Sequence, residues 1–221
     1  PGSISVQDLE AACADAILLM GQAGQEGGAA VTDILTGKAT PSGKLTATWA
    51  KKYEDYPTAG NFLQDFNKAV YTEGIYVGYR YFDTFNVEAG YPFGYGLSYT
   101  NFEYSAIDCT EKVEIGKEEV RLSFKLKNSG EYAGTEIVQL YLSPQDKEIP
   151  VKPIQLKGFE RVSLQPGEEK EVVFRLMPEL LSFYKGGQWQ LLPGNYELKI
   201  GSSSEDIRLL FSLKLTGNVK I

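Results

Sequence analysis

Val120-Arg121-Leu122-Ser123-Phe124-Lys125-Leu126-Lys127 alternates apolar and polar residues without a break, which puts Val120, Leu122, Phe124 and Leu126 on one face. A period of two marks a strand with one buried face, and Asn128-Ser129-Gly130 closes it with turn residues. Outward from this stretch the grammar repeats. Residues 137–142, 159–164, 171–176, 196–200 and 207–215 each have strand length, with turn signals at Gln165-Pro166-Gly167 and Pro193-Gly194-Asn195. From Phe102 onward no long helical period intervenes, so the spacing predicts about seven strands in an immunoglobulin-like antiparallel β-sandwich over residues 102–221.

Toward the N-terminus the pattern changes. In residues 8–14, Leu9, Ala12 and Cys13 fall on one helical stripe, and Ala16-Ile17-Leu18-Leu19-Met20 then has the length of a buried strand. A glycine-rich turn, residues 21–28, opens into a helical pattern over residues 29–36, with Gly37 placed to end it. Helix, strand, glycine turn and helix predict an α/β layer with a parallel strand, and ligands of such sheets sit beyond the strand ends. Between the two regions, residues 71–99 are dense in Tyr, Phe and Gly. A flexible linker is polar and poor in aromatics, so this segment is expected to be an ordered strap. The predicted class is a multidomain α+β chain: a partial α/β sandwich, residues 1–101, followed by the immunoglobulin/fibronectin III-like antiparallel β-sandwich, residues 102–221.

Composition narrows the chemistry. The 221 residues are 43% hydrophobic and 12% aromatic, enough for a sizeable core. Six basic residues stand against eleven acidic up to Asn101, and sixteen against eighteen thereafter, for a total of −7. With no basic stripe to neutralise phosphates, nucleic acid is not an expected partner. The longest apolar run, Ala16 to Met20, falls far short of the roughly 20 residues that span a bilayer, so no membrane segment is expected. The complete absence of histidine removes Ser-His-Asp triads, Cys-His dyads and HExxH zinc sites together. Cys13 and Cys109 lie far apart and read as buried free thiols. Pro1-Gly2 carries neither Met nor a leader, as expected of a processed piece whose targeting signal lies elsewhere; localisation is not legible.

Longer signatures point to a family. Gly24-Gln25-Glu26-Gly27-Gly28, then Leu35-Thr36-Gly37-Lys38 and Pro41-Ser42-Gly43-Lys44-Leu45, resemble the run that closes the α/β sandwich domain of glycoside hydrolase family 3. Residues 71–83 (YTEGIYVGYRYFD) and 91–100 (YPFGYGLSYT) resemble the family's next two signatures, in the same order. Residues 134–142, Leu156-Lys157-Gly158-Phe159, residues 164–168 and 194–198 are similar to its fibronectin type III-like module. The resemblance implies a retaining β-glycosidase with two carboxyls about 5 to 5.5 Å apart. It also implies that the nucleophile belongs to a barrel domain outside this chain, and that the acid/base Glu lies upstream of the GQEGG run. The barrel is the implied partner, a carbohydrate the implied substrate, and the chain alone is expected to be inactive, with no catalytic residue, cofactor or metal of its own.

Five residues are candidates for bordering the sugar pocket. Gln25 and Glu26 sit on the glycine turn, although capping of the next helix is the plainer role. Glu73, Arg80 and Asp83 group carboxylates and a guanidinium among aromatics, where an interdomain salt bridge is the plainer role. Tyr76, Tyr79, Tyr81, Phe82, Tyr91, Phe93, Tyr95 and Tyr99 read as interdomain glue rather than a sugar-stacking platform. Trp49 and Trp189 read as packing residues, and Ser143, Asp146 and Glu148 as solvated loop polars. The alternative function is a stand-alone carbohydrate- or protein-binding module; a structural spacer would have no need of the GQEGG turn.

Overall fold

A computed structural model describes residues 14–62, 64, 65, 67–114, 119–146, 154–217 and 219–220. The expected helix over residues 8–14, Cys13 and Glu148 lie outside the described residues.

Two sheets face each other across one core. Strands β3 (Phe102–Cys109), β5 (Val120–Asn128) and β8 (Glu169–Leu176) make a three-stranded antiparallel sheet in the order β3-β5-β8. The second sheet runs β4-β12-β11-β6-β7, from β4 (Lys112–Glu114), β6 (Gly134–Pro144), β7 (Gln155–Leu164), β11 (Gly194–Gly201) and β12 (Ile207–Thr216). All of its pairings are antiparallel except β4 with β12. The alternation in β5 does what its period dictates: Val120, Leu122, Phe124 and Leu126 are all buried, with Phe124 stacked between Tyr104 and Phe174. They meet Val138, Leu140 and Leu142 of β6 and Tyr196, Leu198 and Ile200 of β11 in a single cluster. Seven long strands thus form the expected sandwich.

Two features of this region were not expected. A hairpin of β9 (Phe183–Lys185) and β10 (Gln188–Leu191), preceded by the short helix α3 (Pro178–Leu181) and extended by β13 (Val219–Lys220), forms a separate three-stranded sheet. Strand β6 departs from alternation because both of its faces are covered. Val138, Leu140 and Leu142 enter the core, and Gln139 and Tyr141 are buried on the outer face beneath the strap.

Residues 14–100 are sparser. Helix α1 (Gly27–Leu35) ends at Thr36, and Gly37 follows at φ +73°, the left-handed conformation a helix terminator needs. Strands β1 (Trp49–Ala50) and β2 (Ala89–Tyr91) pair antiparallel, and helix α2 (Tyr79–Phe85) buries Phe82 against Ala50 and Ala89. The expected strand over Ala16–Met20 is not paired. Ile17, Leu18, Leu19 and Met20 are 42–55% exposed, since a strand needs hydrogen-bonding neighbours and none lies beside it among the described residues. No helix among the described residues is long and apolar enough to cross a membrane.

Candidate functional site

Gln25 and Glu26 are both exposed on the turn before α1. Glu26 occupies the N-cap position, but its side chain makes no capping hydrogen bond; the turn is closed by backbone, Gly27 N donating to Gly24 O at 3.1 Å and Ala30 N to Glu26 O at 3.0 Å. The expected capping bond from the Glu26 side chain is therefore not made, and the residue keeps only its place at the positive end of the helix.

The expected salt bridge within Glu73, Arg80 and Asp83 does not form among the described residues, although Arg80 and Asp83 are three residues apart and neighbours on α2. Tyr79 and Asp83, four apart, share a helix face as well, and Tyr79 lies on the sandwich. The Tyr79 hydroxyl accepts a hydrogen bond from Leu156 N at 2.9 Å, and its ring lies 6.0 Å edge-on from Tyr141. Asp83 Oδ2 is buried without a hydrogen-bond partner. Burial first, and the Glu205 carboxylate second, push its acid up to about 7 against an opposing pull from Lys199. Arg80 instead neighbours Lys157; burial, then this guanidinium, pushes that ammonium down to about 8. Glu73 is half-buried on the loop before α2.

The buried ion pair between the two regions lies elsewhere. Lys44 Nζ, from the Pro41–Leu45 signature, is 3.0 Å from Glu136 Oε1 of β6, with side chains only 12% and 8% exposed. Lys44 also donates to Gly96 O at 3.1 Å. Burial raises the Glu136 acid even with this cation beside it, so desolvation outweighs the Coulomb attraction there.

Around this pair the strap is stitched to the sandwich by hydrogen bonds and rings. Phe93 stacks on Tyr79 at 4.8 Å. Gln139 donates to Gly94 O (3.2 Å) and Ser202 O (2.6 Å), and accepts from the Tyr141 hydroxyl at 2.5 Å. A Cβ at Gly94 would overlap the Gln139 side chain, and its φ of +81° is itself one that favours glycine. Tyr99 donates to Ile34 O at the end of α1, and Thr40 to Ala133 O in the turn before β6. Of the aromatics, Tyr79 thus reaches the sandwich, while Phe93 stacks on it from within the strap and Tyr99 ties the strap to α1.

Asn128 is the residue that reading the sequence placed only in a turn. Its fully buried amide accepts from Thr100 Oγ1 (2.6 Å) and Gly130 N (3.1 Å) and donates to Tyr132 O (2.7 Å) and Leu164 O (3.2 Å). One side chain thus ties the strap's end to two turns of the sandwich. Its signal was the turn sequence itself; its long-range partners have none. Ser143 is buried in β6 rather than solvated, and Asp146 holds Asn195 through both backbone and side-chain N–H groups. Cys109 is half-buried, not fully enclosed. Trp49 is 8% exposed and edge-on to Tyr91, while Trp189 is 53% exposed and edge-on to Tyr184 at 69°.

Two clefts are formed by described residues. One, of about 530 Å³, is lined by Glu111, Gln145, Asn195, Tyr196, Phe211, Ser212, Leu213 and Lys214. The other, of about 410 Å³, lies between residues 42–46 and the outer face of β6 and β7, with Phe93, Leu156, Phe159 and Arg161 in its wall. The first contains a single carboxylate and the second none; none of the five candidate residues lines either. Among the described residues no group of three or more carboxylates and thiols is placed to hold a metal ion.

Residues 2–79 match the glycosyl hydrolase family 3 C-terminal domain, and residues 136–204 the fibronectin type III-like domain. The chain is 42% identical over 200 residues to thermostable beta-glucosidase B of Acetivibrio thermocellus, covering 90% of this chain and 26% of that protein. A beta-glucosidase of Kluyveromyces marxianus is 39% identical over 200 residues, covering 88% of this chain and 23% of its own length. The structure of beta-glucosidase 3B from Thermotoga neapolitana in complex with glucose superposes with a TM-score of 0.90 at 38% identity, over 99% of this chain and 30% of that one. The chain spans about a quarter of the length of the curated relatives it matches.

Proposed function

Because the chain belongs to glycosyl hydrolase family 3, carrying that family's C-terminal domain and a fibronectin type III-like domain, we propose that it is the scaffolding portion of a β-glucosidase. The complete protein hydrolyses β-glucosidic bonds with a retaining pair of carboxyls; this portion walls the pocket and braces a catalytic barrel, and does not contain the pair. One observation carries the reading. The chain spans about a quarter of the length of the beta-glucosidases it matches, and, where retaining cleavage needs two carboxyls about 5 to 5.5 Å apart around one glycosidic oxygen, the two clefts described above each have at most one carboxylate in the wall. The Glu205 carboxylate helps raise the Asp83 acid, but neither residue lines either cleft.

In this reading the division falls near Asn101, where the strap ends and β3 begins. Gln25 and Glu26, exposed before α1, and Glu73 on the loop before α2 border the sugar pocket of the complete protein, while Arg80 and Asp83 sit against the sandwich. The binding-module alternative gains little support, since the exposed rings of Tyr184 and Trp189 stand at 69° to each other and form no flat platform for a pyranose. Incubation of the chain with an aryl β-glucoside tests the proposal: hydrolysis at the buffer rate is expected, and turnover above it refutes the scaffolding role. Calorimetry with cello-oligosaccharides and laminarin separates the alternative, which requires millimolar or tighter binding by the chain alone.

A further inference from the structure

We propose that the seat of helix α2 on the sandwich is a proton-gated latch, closed while Asp83 is a neutral carboxylic acid and loosened when it becomes a carboxylate. The inference is independent of the catalytic reading. It begins from an accounting failure: Asp83 Oδ2 is buried at this junction with no donor, and a buried carboxylate without hydrogen bonds or a counter-charge is strongly disfavoured.

No facing group supplies the missing charge. From β6, Tyr141 presents a hydroxyl already donated to Gln139. From β11, Lys199 is engaged by Glu197 at 3.1 Å. From the turn before β12 comes another acid, Glu205, with Glu88 beyond it. On α2 itself the Tyr79 hydroxyl accepts from Leu156 N and makes no hydrogen bond to Asp83 Oδ2, and Arg80 lies toward Lys157 of β7. An acid in this pocket resists ionisation until about pH 7. Between the ordinary carboxylate range and that value the folded chain holds a proton that the unfolded chain has released, so stability falls as pH rises through the window. Glu205, itself raised by burial and by Glu88, acts with the same sign.

The grip that the proton controls is small. Helix α2 has seven residues; its one fully buried residue, Phe82, packs on Ala50 and Ala89, and its hold on the sandwich comes from Tyr79. Ionisation at Asp83 therefore acts on a marginal contact rather than on the sandwich core.

Trp49, buried in the region that α2 packs against, is the reporter, made unique by Trp189→Phe. Acrylamide quenching of Trp49 is expected to rise from pH 5.5 to pH 8.5, and the melting midpoint to fall by roughly 3 to 6 °C over the same range. Asp83→Asn, which keeps the shape without the charge, is expected to hold quenching at its low-pH value and at least halve the thermal shift. Glu205 is exposed, so Glu205→Gln will fold, and it is expected to move the quenching midpoint to lower pH by removing the neighbouring negative charge. An unchanged quenching profile in Asp83→Asn overturns the latch. Should that variant fail to fold, a midpoint unmoved by Glu205→Gln overturns it equally.

Discussion

The two regions of this chain hold themselves together in different ways. One cluster of twenty-one buried apolar residues fills the sandwich and takes in Leu181, Phe183 and Leu191 of α3 and the β9–β10 hairpin, while β3 packs against it with partly buried side chains. In residues 14–100 the buried cluster is Ala50, Phe82 and Ala89, while Ile17, Leu18, Leu19, Met20, Leu35, Phe62 and Tyr71 are exposed. Burial contributes roughly 25 cal/mol per Å² of apolar surface, so the sandwich has a core of its own and the first region leans on what it touches. Its order comes from attachments: the Lys44–Glu136 pair, the Gln139 hydrogen bonds, the Tyr79–Phe93–Tyr141 rings, and the Thr100–Asn128 contact. The difference teaches that Lys44, Tyr79 and Gly94, each within a family signature of the first region, serve as contacts with the sandwich.

If the sandwich carries the stability, a cavity there has the largest effect. Phe124→Ala removes a ring that is 1% exposed and flanked by two others; about 3 to 5 kcal/mol should be lost in chemical denaturation, with both regions unfolding together. A first region that melted later than the sandwich would break the comparison.

The attachment should matter next. Lys44→Met leaves Glu136 buried and uncompensated, at a cost of about 3 kcal/mol near neutral pH. The sign of its pH dependence follows from the acid: burial raises Glu136, so its carboxyl takes up a proton above the usual Glu range and the deficit should shrink as pH falls toward about 4. Thermal melts at the two pH values check this. Asn128→Ala comes third, at about 2 kcal/mol, because Tyr132 O and Leu164 O lose their donor in a buried place. Hydrogen exchange should report the loss in the two turns and at Thr100 before it reaches β5.

What was legible in the sequence follows the same division. The strands were readable because a half-buried sheet imposes a period of two, and Gly37 and Gly167 were readable because turns at φ +73° and +76° ask for glycine. The segment Ala16–Met20 carried a strand signal, but pairing is a property of neighbours, and no strand lies beside it among the described residues. The interregional ion pair was sought at Glu73, Arg80 and Asp83, where opposite charges lie close in sequence, and was found between Lys44 and Glu136, 92 positions apart. Local charge density does not reveal which side chains tertiary packing brings together. The even spacing of β6 likewise concealed that its polar positions, Gln139 and Ser143, are buried.

The two tryptophans give the smallest and most discriminating effect. Trp189 lies on the β9–β10 hairpin, more than half exposed, with an edge contact to Tyr184 at 5.5 Å. Aromatic pairs contribute about 1 kcal/mol, and an exposed one sits at the low end, so Trp189→Ala should change the denaturation free energy by no more than about 1 kcal/mol. Trp49 fluorescence should be unaltered, because the hairpin pairs with β13 and not with either main sheet. The hairpin already shares the sandwich's core through Phe183 and Leu191, so a loss above about 2 kcal/mol would mean that the exposed indole, and not those buried side chains, fastens it there. The contrast between a buried core and its exposed attachments would then have to be redrawn around that ring.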